Sequence, residues 1–202
     1  MATRKQLDPE ATRQAILKTA AELFAEHGFD GVSVAQLAKA AGVTKSLVHH
    51  HFGSKAELWQ AAKLQRFSSY ADIQRATIGN LDHQYSSGLD VLDASIQLYF
   101  RALEEDPIMR RMMMWSHLED RDEQPLEVMN DLVRYGLSRI EQSQASGELR
   151  DDVPAHALLH CVLGVSQSWF MMRDLYEQQG AEPDHEELVA ALRKILRQGM
   201  AP

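Results

Sequence analysis

The chain has 202 residues, 45% of them hydrophobic and 25% charged, with a net charge of −8 and one cysteine. That length fits one sizeable domain, or a small domain joined to a larger one, and the single Cys161 excludes an internal disulfide framework. No run of eighteen apolar residues occurs, and no hydrophobic signal segment follows Lys5, so the expected location is the cytoplasm with no membrane partner.

The first predicted helix opens at Pro9 and closes at Gly28. Ala15, Ile16, Leu17, Ala20, Leu23 and Phe24 form its apolar stripe. Ahead of it, Arg4 and Lys5 form either an arm that reaches phosphate or a minor groove, or a solubilising terminus. The stretch from Ser33 to Lys55, SVAQLAKAAGVTKSLVHHHFGSK, predicts a helix, a tight turn and a second short helix. Leu37, Ala38 and Ala41 recur at helical spacing, with Ala38 small enough to admit a close neighbour. Gly42 supplies a positive φ for the turn, Val43 seals the corner, and Thr44 caps the second helix. There Val48 and Phe52 point inward, leaving Thr44, Lys45, Ser46, His49 and His50 around an exposed helix end, as a major-groove reader needs. A glycine corner by itself is common in helical proteins. Ser54 then caps a helix that starts at Lys55 and runs into the seventies.

A turn is expected from Gly79 to Gly88, where Asn80, Asp82, Ser86 and Ser87 cluster. Leu89, Leu92, Ile96, Tyr99, Phe100 and Leu103 make the next helical stripe. Pro107, after Asp106, opens a helix carrying Met109, Met112, Met113 and Trp115, which the polar LEDRDEQP stretch interrupts. Another helix is expected from Leu126 to Ser146, with Val128, Met129, Leu132, Val133, Leu137 and Ile140 on its stripe and Gly147 at its end. Ala155 to Tyr176 is apolar on more than one face, and Asp184 to Arg197 presents Leu188, Val189, Leu192, Ile195 and Leu196. A helix with two apolar faces needs two covering surfaces. The expectation is therefore a carboxy-terminal hairpin that packs on its own body and meets its copy in a homodimer, through Leu159, Val162, Leu163, Val165, Leu192 and Ile195. Cys161 in that helix is expected to be a buried packing residue.

Charge is divided unevenly. Residues 1–66 hold nine Lys or Arg against six Asp or Glu, leaving twelve against twenty-three in the rest, so the segment with the glycine corner is basic and the body acidic.

The run ILKTAAELFAEHGFDGVSVAQLAKAAGV followed by TKSLVHHHFGSKAEL resembles the DNA-binding domain of the TetR family of bacterial transcriptional regulators. That resemblance covers about the first sixty residues. It implies an all-α fold of about nine helices: a helix-turn-helix DNA-binding domain over 1–53, then a helical ligand-binding and dimerisation domain over 54–202. It also implies that Thr44, Lys45, Ser46, Leu47 and His49 approach bases or adjacent phosphates of double-stranded DNA, while Ser33, His51 and Lys55 position the backbone. Two positions depart from the family pattern. His49 stands where the family usually has Tyr, and Leu47 where it has a small hydroxyl residue, so no operator sequence carries over. Leu47 can only pack on an apolar edge such as a thymine methyl. Two linked readers would address a palindromic operator, with half-site spacing part of the code.

The family's body holds an effector. Candidate contacts for a small, mainly apolar one are Tyr99, Phe100, Met112, Met113, Trp115, His117, Trp169 and Met172, residues that a helical core also uses; His160, Arg134 and Arg173 are further polar anchors. No cofactor is implied. A metal-responsive alternative would use Met, His and Cys ligands: His156 and His160 are four apart beside Cys161, but no zinc-spacing motif exists, and consecutive His49, His50 and His51 diverge. An enzyme is the other alternative. It lacks a phosphate loop, an HExxH segment or a nucleophile elbow, and the acidic groups Glu104 to Asp106 and Glu119 to Glu123 look like solvated boundaries.

Overall fold

The computed structural model describes residues 8–81, 88–119, 126–180 and 185–200. All regular elements among them are helices: α1 Pro9–His27, α2 Val34–Ala40, α3 Lys45–Phe52, α4 Lys55–Leu81, α5 Gly88–Glu105, α6 Pro107–Leu118, α7 Glu127–Ala145, α8 Ala155–Gln178 and α9 His185–Met200. The fold is all-α. Arg4 and Lys5 lie outside the described residues, as do Asp82, Ser86, Ser87 and most of the polar segment after α6.

Local chemistry sets the helix ends. Asp8 caps α1 by accepting from the Glu10 amide at 3.0 Å, and Pro9 occupies the first turn, where its missing N–H costs nothing. Ser33 and Gln36 cap α2 reciprocally. At its other end the Val43 amide bonds the Ala38 carbonyl at 2.9 Å and the Gly42 amide bonds that of Lys39 at 3.2 Å, with Gly42 at φ 67°. That double bond pattern turns the chain sharply into α3. Ser54 Oγ accepts from the Glu57 amide at 3.1 Å to start α4.

The chain forms two compact units that do not follow chain order: one comprises the residues through Ser69 with Asp106–Leu126, the other Tyr70–Glu105 with everything from Glu127 onward. In the first, Ile16, Leu17, Ala20 and Phe24 of α1 bury against Leu37, Ala38, Val48, Phe52, Leu58 and Trp59, and Met112 of α6 completes the core. Phe24 meets Trp59 edge-on at 5.0 Å. Each large side chain removed from water contributes roughly 1.5–3 kcal/mol. Three donors and acceptors tie α6 to the end of α1. Arg111 Nε and Trp115 Nε1 both donate to the Ala25 carbonyl, at 2.7 and 3.1 Å, and Glu119 Oε1 accepts from the Phe29 amide at 2.7 Å. Asp106 caps α6 through the Met109 amide at 2.9 Å and pairs with Arg66 of α4 at 3.1 Å.

In the second unit Ile96, Tyr99, Phe100 and Leu103 of α5 are buried, and Phe100 lies 5.3 Å from the Phe170 ring of α8. Ile140, Leu149 and Leu158 form a smaller cluster where α7 turns into α8. Gln144 braces that turn, its amide nitrogen donating to the carbonyls of Arg150 and Val153 at 2.8 Å each.

Several expectations change. Ala15 is exposed, because it falls one residue ahead of the buried Ile16 and so rotates about 100° away from the core. α4 continues through Gly79 and Asn80 rather than turning there. Val133 is exposed on α7 although it shares a side of the helix with Ile140, seven residues on, because the cluster that buries Ile140 does not include it. Cys161 is exposed, since Val162 takes the inward direction.

Candidate DNA-reading surface

The corner built by Gly42 holds α3 against α2 through Val48 and Phe52, and this leaves the opposite side of α3 in solvent. Thr44 accepts from the Leu47 amide at 3.2 Å, and its hydroxyl shares a 3.0 Å hydrogen bond with Ser46 Oγ. Lys45, Ser46 and His49 are exposed beside it, and Leu47 is half-buried. The first turn of α3 thus presents hydroxyls, one ammonium and the positive end of the helix dipole together, a combination suited to a polyanion. His49 Nδ1 lies 2.7 Å from the Gly53 carbonyl, which the positive φ of Gly53 (71°) turns back toward the helix.

Two of the expected contacts, Ser33 and Lys55, are engaged inside the protein. Ser33 Oγ donates to Gln36 Oε1 at 2.7 Å and accepts from the Gln36 amide, so its hydroxyl serves α2. Lys55, expected at phosphate, instead turns inward: Nζ donates to the carbonyls of Phe29 and Val32 at 3.0 and 2.9 Å and sits 3.9 Å from the centre of the Phe29 ring. The α1–α2 connection offers it two fixed carbonyls, that of Phe29 also accepting from the Val32 amide at 3.2 Å. His51 is half-buried with its ring 5.4 Å from that of His50. Sequence reasoning missed the Arg111, Trp115 and Glu119 contacts to the end of α1. No local pattern signals them, because the partners are about ninety positions apart.

The effector candidates separate between the two units. Tyr99, Phe100, Trp169 and Met172 belong to the second. Tyr99 and Phe100 are buried, Trp169 lies 6.1 Å from Tyr176, and Tyr99 accepts a 2.9 Å hydrogen bond from Gln167 Nε2. Tyr70, absent from the expected set, lies 5.8 Å from Tyr99 ring to ring. Burial first, then the neighbouring Tyr99, pushes its phenol well above the ordinary value; burial also raises Tyr99, against the bond from Gln167. Met112, Met113, Trp115 and His117 belong to the first unit instead. Met112 is 0% exposed in its core, Trp115 packs on that core with its nitrogen on Ala25, and His117 is exposed and bonded to the Met113 carbonyl. Their helical stripe is apolar because α1 covers it.

The interface candidates divide too. Val162 (5% exposed) and Leu192 (7%) face their own unit, and Leu159 packs beside Ile140 and Leu158. Leu163 is half-buried. Val165 and Ile195 (64%) are exposed, and Met171, Leu175 and Tyr176 join them as exposed apolar side chains outside the expected interface set. Among the described residues no three His, Cys, Asp or Glu side chains converge to hold a metal, and His156, His160 and Cys161 are all exposed. No described helix is long and apolar enough to cross a membrane.

Comparison with known proteins decides the family. The model described as "Bacterial regulatory proteins, tetR family" matches residues 16–62, and "Tetracyclin repressor-like, C-terminal domain" matches residues 94–198. The chain belongs to the TetR family of bacterial transcriptional regulators. Among its TetR-family relatives, the HTH-type transcriptional repressor AcnR of Corynebacterium efficiens is 30% identical over 171 residues, 82% of either chain. The repressor KstR2 of Mycobacterium tuberculosis is 26% identical over 137 residues, 62% of this chain and 66% of that one. In fold, FadR of Bacillus subtilis, solved in complex with stearoyl-CoA, superposes with a TM-score of 0.72 at 17% identity, covering 92% of this chain and 98% of FadR.

Proposed function

We propose that this TetR-family chain is a repressor whose homodimer binds a palindromic operator and leaves it when a small, mainly apolar effector occupies the helical body. The observation that carries the DNA reading is the exposed first turn of α3, with Thr44, Lys45, Ser46 and His49 on a helix locked by Val48 and Phe52. One reader makes too few contacts for useful selectivity, so two are needed. Exposed Val165, Met171, Leu175, Tyr176 and Ile195 on α8 and α9 supply apolar surface that a second copy would cover. Repression follows the AcnR and KstR2 relatives, both named as transcriptional repressors. For the effector, the aromatic pairs Tyr70 with Tyr99 and Phe100 with Phe170 in the second unit offer broad apolar contact. FadR, similar in fold, was solved in complex with stearoyl-CoA.

The effector must bind the operator-free geometry more tightly than the operator-bound one, since equal affinity would shift nothing. Purified protein is tested against a library of genomic fragments at fixed salt. Salt-sensitive binding to particular palindromic fragments, lost on titration with apolar compounds, is expected. Absence of salt-sensitive binding to any fragment rejects the DNA reading, and cavity ligands that leave DNA affinity unchanged reject the switch.

A further inference from the structure

The hydrogen bond at His49 fixes more than the position of its ring. The Gly53 carbonyl has no proton to give, so Nδ1, 2.7 Å away, must carry the shared hydrogen. A neutral imidazole has only one N–H. In that form the other nitrogen, Nε2, is a bare lone pair on an exposed residue in the reading helix. Phosphate oxygens are acceptors, as are guanine O6 and N7, thymine O4 and adenine N7, and all of them repel such an atom. In the major groove only adenine N6 and cytosine N4 present donors. We propose that His49 reads an exocyclic amino group, selecting adenine or cytosine at one position of each half-site through Nε2. The Tyr usual at this position in the family carries a hydroxyl that can donate, which an imidazole with its one hydrogen on Nδ1 cannot do at Nε2, so the position recognises a different group.

This inference rests on the DNA-binding reading, and the experiment keeps the two apart. Operators are selected from randomised duplexes at pH 8 with the full-length wild type, His49→Ala and His49→Gln. The Gln amide oxygen can accept where Nε2 does. One half-site position enriched in adenine or cytosine is expected for the wild type; His49→Ala loses the preference and His49→Gln keeps one for adenine. At that position, replacing adenine by purine, or cytosine by 2-pyrimidinone, deletes only the amino group. Wild-type affinity should fall by roughly two- to tenfold, the range for one neutral hydrogen bond, while His49→Ala should not respond. His49 is exposed, so both variants should unfold at the wild-type temperature. If His49→Ala weakens binding equally on all sequences and lowers the salt slope by about one, His49 touches phosphate and the inference is overturned. An unchanged sequence preference overturns it too. A wild type that binds no duplex removes the DNA reading along with it.

Discussion

Gly28 and Gly42 both have positive φ, 71° and 67°, yet a methyl group would meet very different surroundings at each. At Gly42 nothing lies within 4 Å of the added carbon, so Gly42→Ala carries only the backbone penalty, about 1–2 kcal/mol. At Gly28 the carbon would stand 2.5 Å from Glu119 Oε1 and 2.8 Å from the Trp115 ring, and ψ of 179° places the residue in a region nearly exclusive to glycine. Displacing Trp115 and Glu119 also disturbs three hydrogen bonds to α1 and its following turn. Backbone strain of about 1–3 kcal/mol and overpacking of about 1–3 kcal/mol together predict a loss near 2–6 kcal/mol for Gly28→Ala. That is a large part of a typical stability of about 5–15 kcal/mol. Urea unfolding followed by Trp emission, with both variants side by side, measures the difference. Equal midpoints for Gly28→Ala and Gly42→Ala would refute the steric argument.

Lys55→Met should cost about 1.5–3 kcal/mol, the worth of charge-assisted hydrogen bonds, because the bonds from the ammonium to the Phe29 and Val32 carbonyls are lost; a wild-type urea midpoint with uniformly weaker DNA binding would place the ammonium on phosphate instead. Met112→Ala opens a hole in the first core and should lower stability by about 2–5 kcal/mol in the same assay, while leaving effector affinity unchanged. Ile195→Asp should give a folded monomer by sedimentation, whereas Val162→Asp should unfold the protein, because only the second buries a carboxylate within its own unit. Raised phenol values for Tyr70 and Tyr99 stabilise the fold fully below the ordinary value of 10.0, and that contribution is lost as pH rises above it. Ultraviolet titration should therefore show two tyrosines that ionise only on alkaline unfolding.

Local patterns carried much of the fold. Caps at Pro9, Thr44 and Ser54, the Gly42 corner and the stripe from Ile96 to Leu103 were legible because each rests on neighbours within about four residues. α4 passed through Gly79 and Asn80 because turn formers mark a weak helix rather than a certain end. What stayed hidden depended on which surface covers a stripe. Met112 and Val165 are equally apolar in sequence, but one lies under α1 and the other is exposed. Lys55 was legible as a cation beside the reader, yet its direction was decided by the carbonyls of Phe29 and Val32, more than twenty residues earlier.

The contacts from Arg111, Trp115 and Glu119 back to Ala25 and Phe29 span 86 to 90 positions. During synthesis, α1, α2 and α3 emerge long before the residues that seal their core, and Met112 arrives only after α4 and α5 have been made. The reading head of the nascent protein therefore waits, with Phe24 and Trp59 incompletely covered, for a late strip of chain to return. Such closure of a distant loop slows folding and leaves a window in which the exposed rings invite chaperones or aggregation. A fragment ending at residue 66 lacks Met112 and the partners of Ala25 and Phe29, so its core would stay open on the side that Pro107–Leu118 and Glu119 cover.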